Sequence, residues 1–542
     1  MESAITGTTA TSTLTALFKR GEVYADSWPR EVRRLLNVAD PLVDVVAAAL
    51  DSGDHVVITG NAGDGKSHLL ATALDLCRPR REAEADSTSP AVLTPDYRVF
   101  VRDAASVDDA DILRWTDAAT KQGAQLVITL NEGPLTSLAE RQGPGLFEDV
   151  RQVAHARARG EDAQDPEGVL LLNLAGRQLV DAGFVTQALE RLMPAVTACS
   201  TCASTATCPR TVGRDLLAAS PHAAERITTL LSLLGHSGMR LTARQLWVFL
   251  VDLFFGWECP PRAKAVDQLS GWWWSRIFDA RTPLGRAMAR EFDPVHWAHA
   301  SVDNHLWLGD NERARVPNEA PLLNPNGIHR REPGSTASLR AFESAKRAWF
   351  FLAPDLDVKS MVDRQSKIPD YVELLTQARS EPQRVVQKIV TEINRYRLRV
   401  TEGKRLYLSR HHRLTAVKRA ALLAASESIS TTSLDVHLPY RHEGRDLEGS
   451  GFSPTKLELS WSEGKGAVFG IDYQTWIQLR QPRTVHSDRT QEALDLALDL
   501  FLGQAPVKPE TDPEIVAVDH DSGAMVKIIV RGGIRPTFEV AE

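Results

Sequence analysis

The sequence predicts an α/β chain: a buried parallel sheet first, a largely helical middle, and a small α+β unit at the end. Three observations carry this expectation. Apolar runs recur through the first third, in "HVVITG", "YRVFVRD", "QLVITLNEG" and "GVLLLNLAG", separated by helical or loop stretches. Runs without polar alternation fit strands buried on both faces. From about Val185 to Gly256 the apolar spacing becomes helical, and beyond about Leu434 it alternates in "KLELSW" and "MVKIIVRGG". A length of 542 residues fits about three or four domains at roughly 150 residues each. With 43% hydrophobic and 25% charged residues, the composition is that of a globular protein.

The first strand leads into "GNAGDGKSH", residues 60–68, which has the spacing G-x-x-x-x-G-K-[ST]. Glycines let a backbone curl so that successive amides face inward toward phosphate oxygens. A helix starting at Lys66 adds its positive dipole end. Gly60, Asn61, Ala62, Gly63, Asp64, Gly65, Lys66, Ser67 and His68 are therefore the candidate nucleotide-binding residues. Lys66 is placed to reach the β- and γ-phosphates, and the Ser67 hydroxyl to ligate Mg²⁺. The expected fold is thus a P-loop ATPase core of the additional-strand, AAA-like kind with a helical lid.

The following strands bear on the chemistry. "YRVFVRD" (Tyr97–Asp103) reads as the second strand, and "QLVITLNEG" (Gln125–Gly133) as the third. The third ends in Asn131-Glu132, where such an ATPase usually has Asp-Glu. Asn131 can accept a hydrogen bond from a metal-bound water but carries no charge, so Glu132 is the candidate catalytic base. A plain turn after the strand is the alternative. The fourth strand, within Gly168–Val180, ends at Asn173. That residue either positions an attacking water or caps a turn. Arg177 faces phosphate or solvent.

In the helical stretch, Thr242 is the expected N-cap of a helix over "ARQLWVFL". Arg240 and Arg244 lie where a lid arginine would point back at the nucleotide; the alternative is a surface position. Cys199, Cys202 and Cys208 fall within ten residues, in "CSTCASTATC". Two thiolates two residues apart can grip one metal from a single turn. Cys259 is the expected fourth ligand, with His222 and His236 as alternatives. The set suits structural zinc, or less well an iron–sulfur cluster, or it is reduced thiols. Five cysteines in the whole chain do not look like a secreted disulfide framework. "MESAITGTTATSTLTALF" is too polar for a signal peptide, and no apolar run reaches the roughly 18 residues of a membrane span. The expected location is the cytoplasm.

The three tryptophans of "GWWWSRIF" cannot share one helix face, so they pack in a core or meet another domain or subunit. Residues 312–335, rich in Pro, Gly and Asn, read as a linker. Between Arg384 and Arg419 there are eleven Lys or Arg and only two acids, Glu392 and Glu402. Arg410, Arg413 and Arg419 stand here, with Tyr407, His411 and His412 interleaved. Such a stripe suits a DNA backbone, or it is a solvated face. The net charge of -7 argues against a uniformly basic nucleic-acid binder. In the tail, "RTQEALDLALDLFLG" reads as one amphipathic helix among strands.

"GNAGDGKSH", "ITLNEGPL", "LLLNLAGRQLV", the cysteine cluster, "LTARQLWVFL", "AKRAWFFL" and "LYLSRHHR" resemble, in that order, the DptF-like ATPases of phosphorothioation-dependent DNA restriction. The likeness covers residues 40 to 420 roughly. It implies a bacterial phage-defence ATPase acting with partner proteins, a helicase or nuclease among them, on DNA lacking the host's sulfur modification. Gly60, Gly65, Lys66 and Ser67 would hold ATP and Mg²⁺, and Glu132 would drive hydrolysis. A different class also fits: a nucleotide-gated, STAND-like switch or scaffold that recruits a separate effector. Expected partners are DNA, other subunits of a defence complex and further copies of the chain in a homo-oligomer. No nuclease constellation of the PD…ExK kind is evident, so cutting would belong to a partner. The expected division is an N-terminal segment at 1–40, the ATPase core at 41–184 and the lid at 185–300. A helical basic region at 301–433 and an α+β domain at 434–542 complete it.

Overall fold

The computed structural model describes residues 37–77, 91–93, 98–101, 104–159, 161, 163–180, 183–196, 208–256, 269–308, 336–354, 356–398, 400–408, 422–425, 427–439, 450–462, 468–481, 489–506, 514–518, 525–531 and 537–541. Most of the 1–40 segment, the 312–335 linker and the stretch 409–421 lie outside the described residues. The fold is mixed α/β. None of the described helices is long and apolar enough to cross a membrane.

The first part comprises α1 (Leu42–Ser52), β1 (His55–Thr59), α2 (Lys66–Cys77), β2 (Ala91–Leu93), β3 (Arg98–Val101) and α3 (Asp109–Gln122), then β4 (Gln125–Leu130), α4 (Glu132–Gln142), α5 (Leu146–Ala158) and β5 (Val169–Asn173). These strands form a five-stranded sheet in the order β2-β3-β4-β1-β5. The β3–β4, β4–β1 and β1–β5 pairs are parallel. The edge strand β2, which the sequence reading did not anticipate, runs antiparallel to β3.

Successive strand residues point to opposite faces. Val56, Ile58, Val127, Leu170 and Leu172 therefore pack with α1 and α2. Val57, Leu126, Ile128, Val169 and Leu171 pack with α3, α4 and α5. Both faces being covered, β1, β4 and β5 carry apolar residues at nearly every position. Their carboxyl ends come level: Thr59 pairs with Leu130 on one side and Asn173 on the other.

The middle holds α6 (Phe184–Leu192), α7 (Pro209–Ala219), α8 (Pro221–His236), α9 (Ala243–Phe255), α10 (Trp273–Arg276), α11 (Pro283–Phe292) and α12 (Ala300–Leu308). Then come α13 (Thr336–Leu352), α14 (Val358–Gln365), α15 (Ile368–Ser380) and α16 (Pro382–Leu398). Thr242 caps α9 through a full capping box with Gln245. All three tryptophans are core residues: Trp272, Trp273 and Trp274 are each almost wholly buried. Trp272 precedes the short helix and stacks on Trp274 at 4.5 Å between centroids. Trp273 donates from Nε1 to the Gly213 carbonyl at 2.9 Å and meets Phe351 edge-on. The Trp273→Ala variant should lose roughly 3–5 kcal/mol of stability, read as an earlier urea midpoint. An unchanged midpoint would show that this cluster does not hold the middle together.

Strands resume at β6 (Arg405–Leu408), β7 (Leu422–Ala425) and β8 (Glu427–Ser430), upstream of the expected boundary at 434. After them come β9 (Leu434–His437), β10 (Leu457–Trp461), β11 (Phe469–Ile471), α17 (Tyr473–Arg480) and α18 (Arg489–Leu502), then β12 (Glu514–Val518), β13 (Met525–Arg531) and β14 (Thr537–Ala541). β7 joins β12, β13 and β14 in one sheet, pairing with β12 across about ninety intervening residues. The tail has two helices among the described residues, not the single one expected, and both pack into the same core. That core is continuous from α6 through α16 to α18. Among the described residues this one core runs across the expected divisions at 301 and 434.

Candidate nucleotide site

The register described above sets Asn173 level with Thr59 at the carboxyl edge of the sheet, with Gly60 and Asn131 the next residues beyond β1 and β4. β1 lies between β4 and β5 there, the position where open α/β sheets bind ligands. The loop from β1 to α2 turns on Gly60 (φ 142°), Gly63 (φ 89°) and Gly65 (φ 91°), values that L side chains rarely adopt. A Cβ on Gly60 would also sit 2.9 Å from the Asp64 carboxylate and 3.2 Å from Leu174. Asn61 and Ala62 are exposed, and Ser67 and His68 are half-buried in the first turn of α2.

Lys66 is committed at three points. Its Nζ donates to the Gly60 carbonyl at 3.0 Å, the Asn61 carbonyl at 2.9 Å and Asn131 Oδ1 at 2.8 Å. An ammonium has three donors, and these use them. The Asn131 amide oxygen thus faces the lysine. Asn173 turns both ways: Oδ1 accepts from the Ala175 amide at 2.9 Å, and Nδ2 donates to Glu132 Oε1 at 3.3 Å. It is buried, while Glu132 is exposed at the first residue of α4. Asn173 therefore caps the turn, as one of its two readings had it, and its amide also holds the Glu132 carboxylate.

Asp64 is buried. Its Oδ2 accepts from the Asn61 amide at 2.7 Å and from the Arg240 guanidinium. Burial pushes its carboxyl above the ordinary range, with Arg240 opposing the shift. Arg240 precedes α9 rather than lying in it. Arg244, in the first turn of α9, meets the loop through its backbone, its amide donating to the Gly63 carbonyl at 3.3 Å. Both sequence-selected arginines thus adjoin the loop, one by side chain and one by main chain.

Arg177 corrects the sequence reading, since it faces neither phosphate nor solvent. Its buried guanidinium grips Asp40 through Nη1 and Nη2 at 2.7 Å each, and Nε donates to the Ser450 carbonyl at 2.5 Å. Next to it, the Gln178 amide donates to the Gly451 carbonyl at 2.6 Å, and Arg177 bridges to Phe452. Residues 450–452 are thereby tied to the end of β5. No local pattern announces this partnership, which joins positions more than 270 residues apart.

Of the cysteine cluster only Cys208 is described; it is buried at the N-cap of α7. Cys199, Cys202 and Cys259 lie outside the described residues. His222 faces Glu225, and His236 Nδ1 lies 2.8 Å from the Ser232 carbonyl. Among the described residues no group of three or more His, Cys, Asp or Glu could hold a metal.

The basic stripe is partly described. On α16, Arg384 pairs with Glu381, Arg395 with Glu392, and Arg397 with Asp499. Tyr407 is buried, with its amide on Asn394 and its hydroxyl on Glu402, so it offers no ring for stacking. Arg410, His411, His412, Arg413 and Arg419 lie outside the described residues. No family model, no curated protein and no solved structure matches this chain.

Proposed function

We propose that this chain is an ATP hydrolase working in the cytoplasm as part of a bacterial DNA restriction or phage-defence complex. The observation that supports hydrolysis best is the convergence at one sheet edge of the glycine loop, Lys66, Asn131 and the hydrogen-bonded pair Asn173–Glu132. The strand β4 between β1 and β3 agrees with an additional-strand ATPase. Residues 60–68 would cradle the phosphates of ATP, with the backbone turned as only glycine allows at Gly60, Gly63 and Gly65. Ser67 would ligate Mg²⁺, and Asn131, whose Oδ1 already accepts from Lys66, would take a metal-bound water on its second lone pair. Lys66 would balance phosphate charge, and Glu132, aimed by Asn173, would take a proton from water. The DptF-like resemblance adds DNA and partner subunits to the reading. It also adds a structural zinc on Cys199, Cys202, Cys208 and Cys259; no step above uses it.

The nucleotide-gated switch is the second reading. The pairing of Arg384, Arg395 and Arg397 with acids favours it, because paired guanidiniums leave fewer charges for a DNA backbone. Measuring ATP turnover by the purified chain with and without duplex DNA tests both. Turnover that rises with DNA, by an amount that falls as salt is raised, is expected of the DNA-coupled hydrolase. Turnover indifferent to DNA selects the switch. Neither binding nor turnover of ATP would overturn the nucleotide reading itself.

A further inference from the structure

Asp64 carries a buried, charged side chain within the loop. Its carboxylate braces the turn by accepting from the Asn61 amide, and it also holds Arg240. Asn61 is in turn bonded through its carbonyl to Lys66, so Arg240 and Lys66 lie on either side of the same short turn. The segment carrying Arg240 links α8, which ends at His236, to α9, which starts at Ala243. It sits directly on the loop: a Cβ on Gly63 would come within 3.3 Å of Thr242 Oγ1 and 3.4 Å of the Arg244 Cβ. Whichever anion holds Arg240 therefore bears on how this helical pair meets the loop.

We infer that Asp64 is a specificity-determining residue: it retains Arg240 against a diphosphate and yields it to the γ-phosphate of a triphosphate. The inference rests on the nucleotide-binding reading above. The chemistry is an exchange of partners for one guanidinium. A terminal phosphate offers more charge and more acceptor oxygens than one carboxylate, and arginine pairs with it in a bidentate geometry. A diphosphate lacks that group, so Arg240 stays on Asp64 and the helical pair keeps its seat. Arg240 is partly exposed, which leaves its side chain room to turn without unpacking the core.

Asp64→Asn keeps an oxygen for the Asn61 amide and removes the charge that holds Arg240. Affinities for ATP and ADP would be measured calorimetrically on the full chain for wild type, Asp64→Asn, Arg240→Gln and the double variant. The ATP:ADP affinity ratio should rise about fivefold or more in Asp64→Asn, a coupling of ordinary allosteric size. The same substitution should leave the ratio unmoved in the Arg240→Gln background, because no guanidinium is left to release. A ratio that rises equally in both backgrounds would mean simple relief of charge repulsion and overturn the exchange. A ratio unchanged in Asp64→Asn would overturn it too, while leaving nucleotide binding intact. Failure of the wild type to bind either nucleotide would overturn the exchange and the underlying reading together.

Discussion

Lys66→Ala is expected to reduce ATP turnover by at least about 10²–10³-fold, the scale on which a preorganised electrostatic donor acts. The three oxygens that Nζ holds, on Gly60, Asn61 and Asn131, become available to water in the variant. Asn61 is exposed, so much of that rehydration costs little, and the chain should still fold. What disappears is the cation that closes the loop and that the proposed hydrolase would set against the phosphates. Lys66→Arg should not restore turnover, because a planar guanidinium cannot reproduce a point charge with three tetrahedral donors. Circular dichroism and a steady-state phosphate-release assay on both variants check this. Wild-type turnover in Lys66→Ala would remove the loop from the chemistry.

Glu132→Gln should lower turnover by roughly 10²–10⁴-fold, the contribution of a positioned general base. The amide keeps the shape of the carboxylate and an oxygen for Asn173 Nδ2, so the arrangement at the end of β5 survives. Only the ability to take a proton is lost. ATP affinity should therefore hold while kcat falls, a split that a merely structural defect would not produce. Unchanged turnover would leave Glu132 as the first residue of α4 and move the base elsewhere.

The sequence by itself determined the sheet and the loop. Near-continuous apolar runs are what strands buried on both faces require, and the structure has strands at His55–Thr59, Gln125–Leu130 and Val169–Asn173 where those runs lie. The glycine spacing was legible because positive φ at Gly60, Gly63 and Gly65 is a local backbone demand. Thr242 was legible as a cap for the same reason: its partners are its own neighbours. Tertiary structure alone decided who meets whom at long range. Nothing near Arg177 indicates Asp40 or Ser450, and nothing near Asp64 indicates Arg240. The edge strand β2 owes its place to pairing with β3, and three residues carry too little pattern to announce a strand. The tryptophan run left core and interface equally open, because both bury aromatic surface; Gly213 and Phe351 on other helices settled it. In the described part of the Arg384–Arg419 stripe, Arg384 and Arg395 pair with their chain neighbours Glu381 and Glu392, and only folding brings Asp499 to Arg397. Periodicity and backbone geometry are properties of neighbours in the chain. Ion pairs and burial between distant segments depend on how the chain closes on itself, and there the sequence is silent.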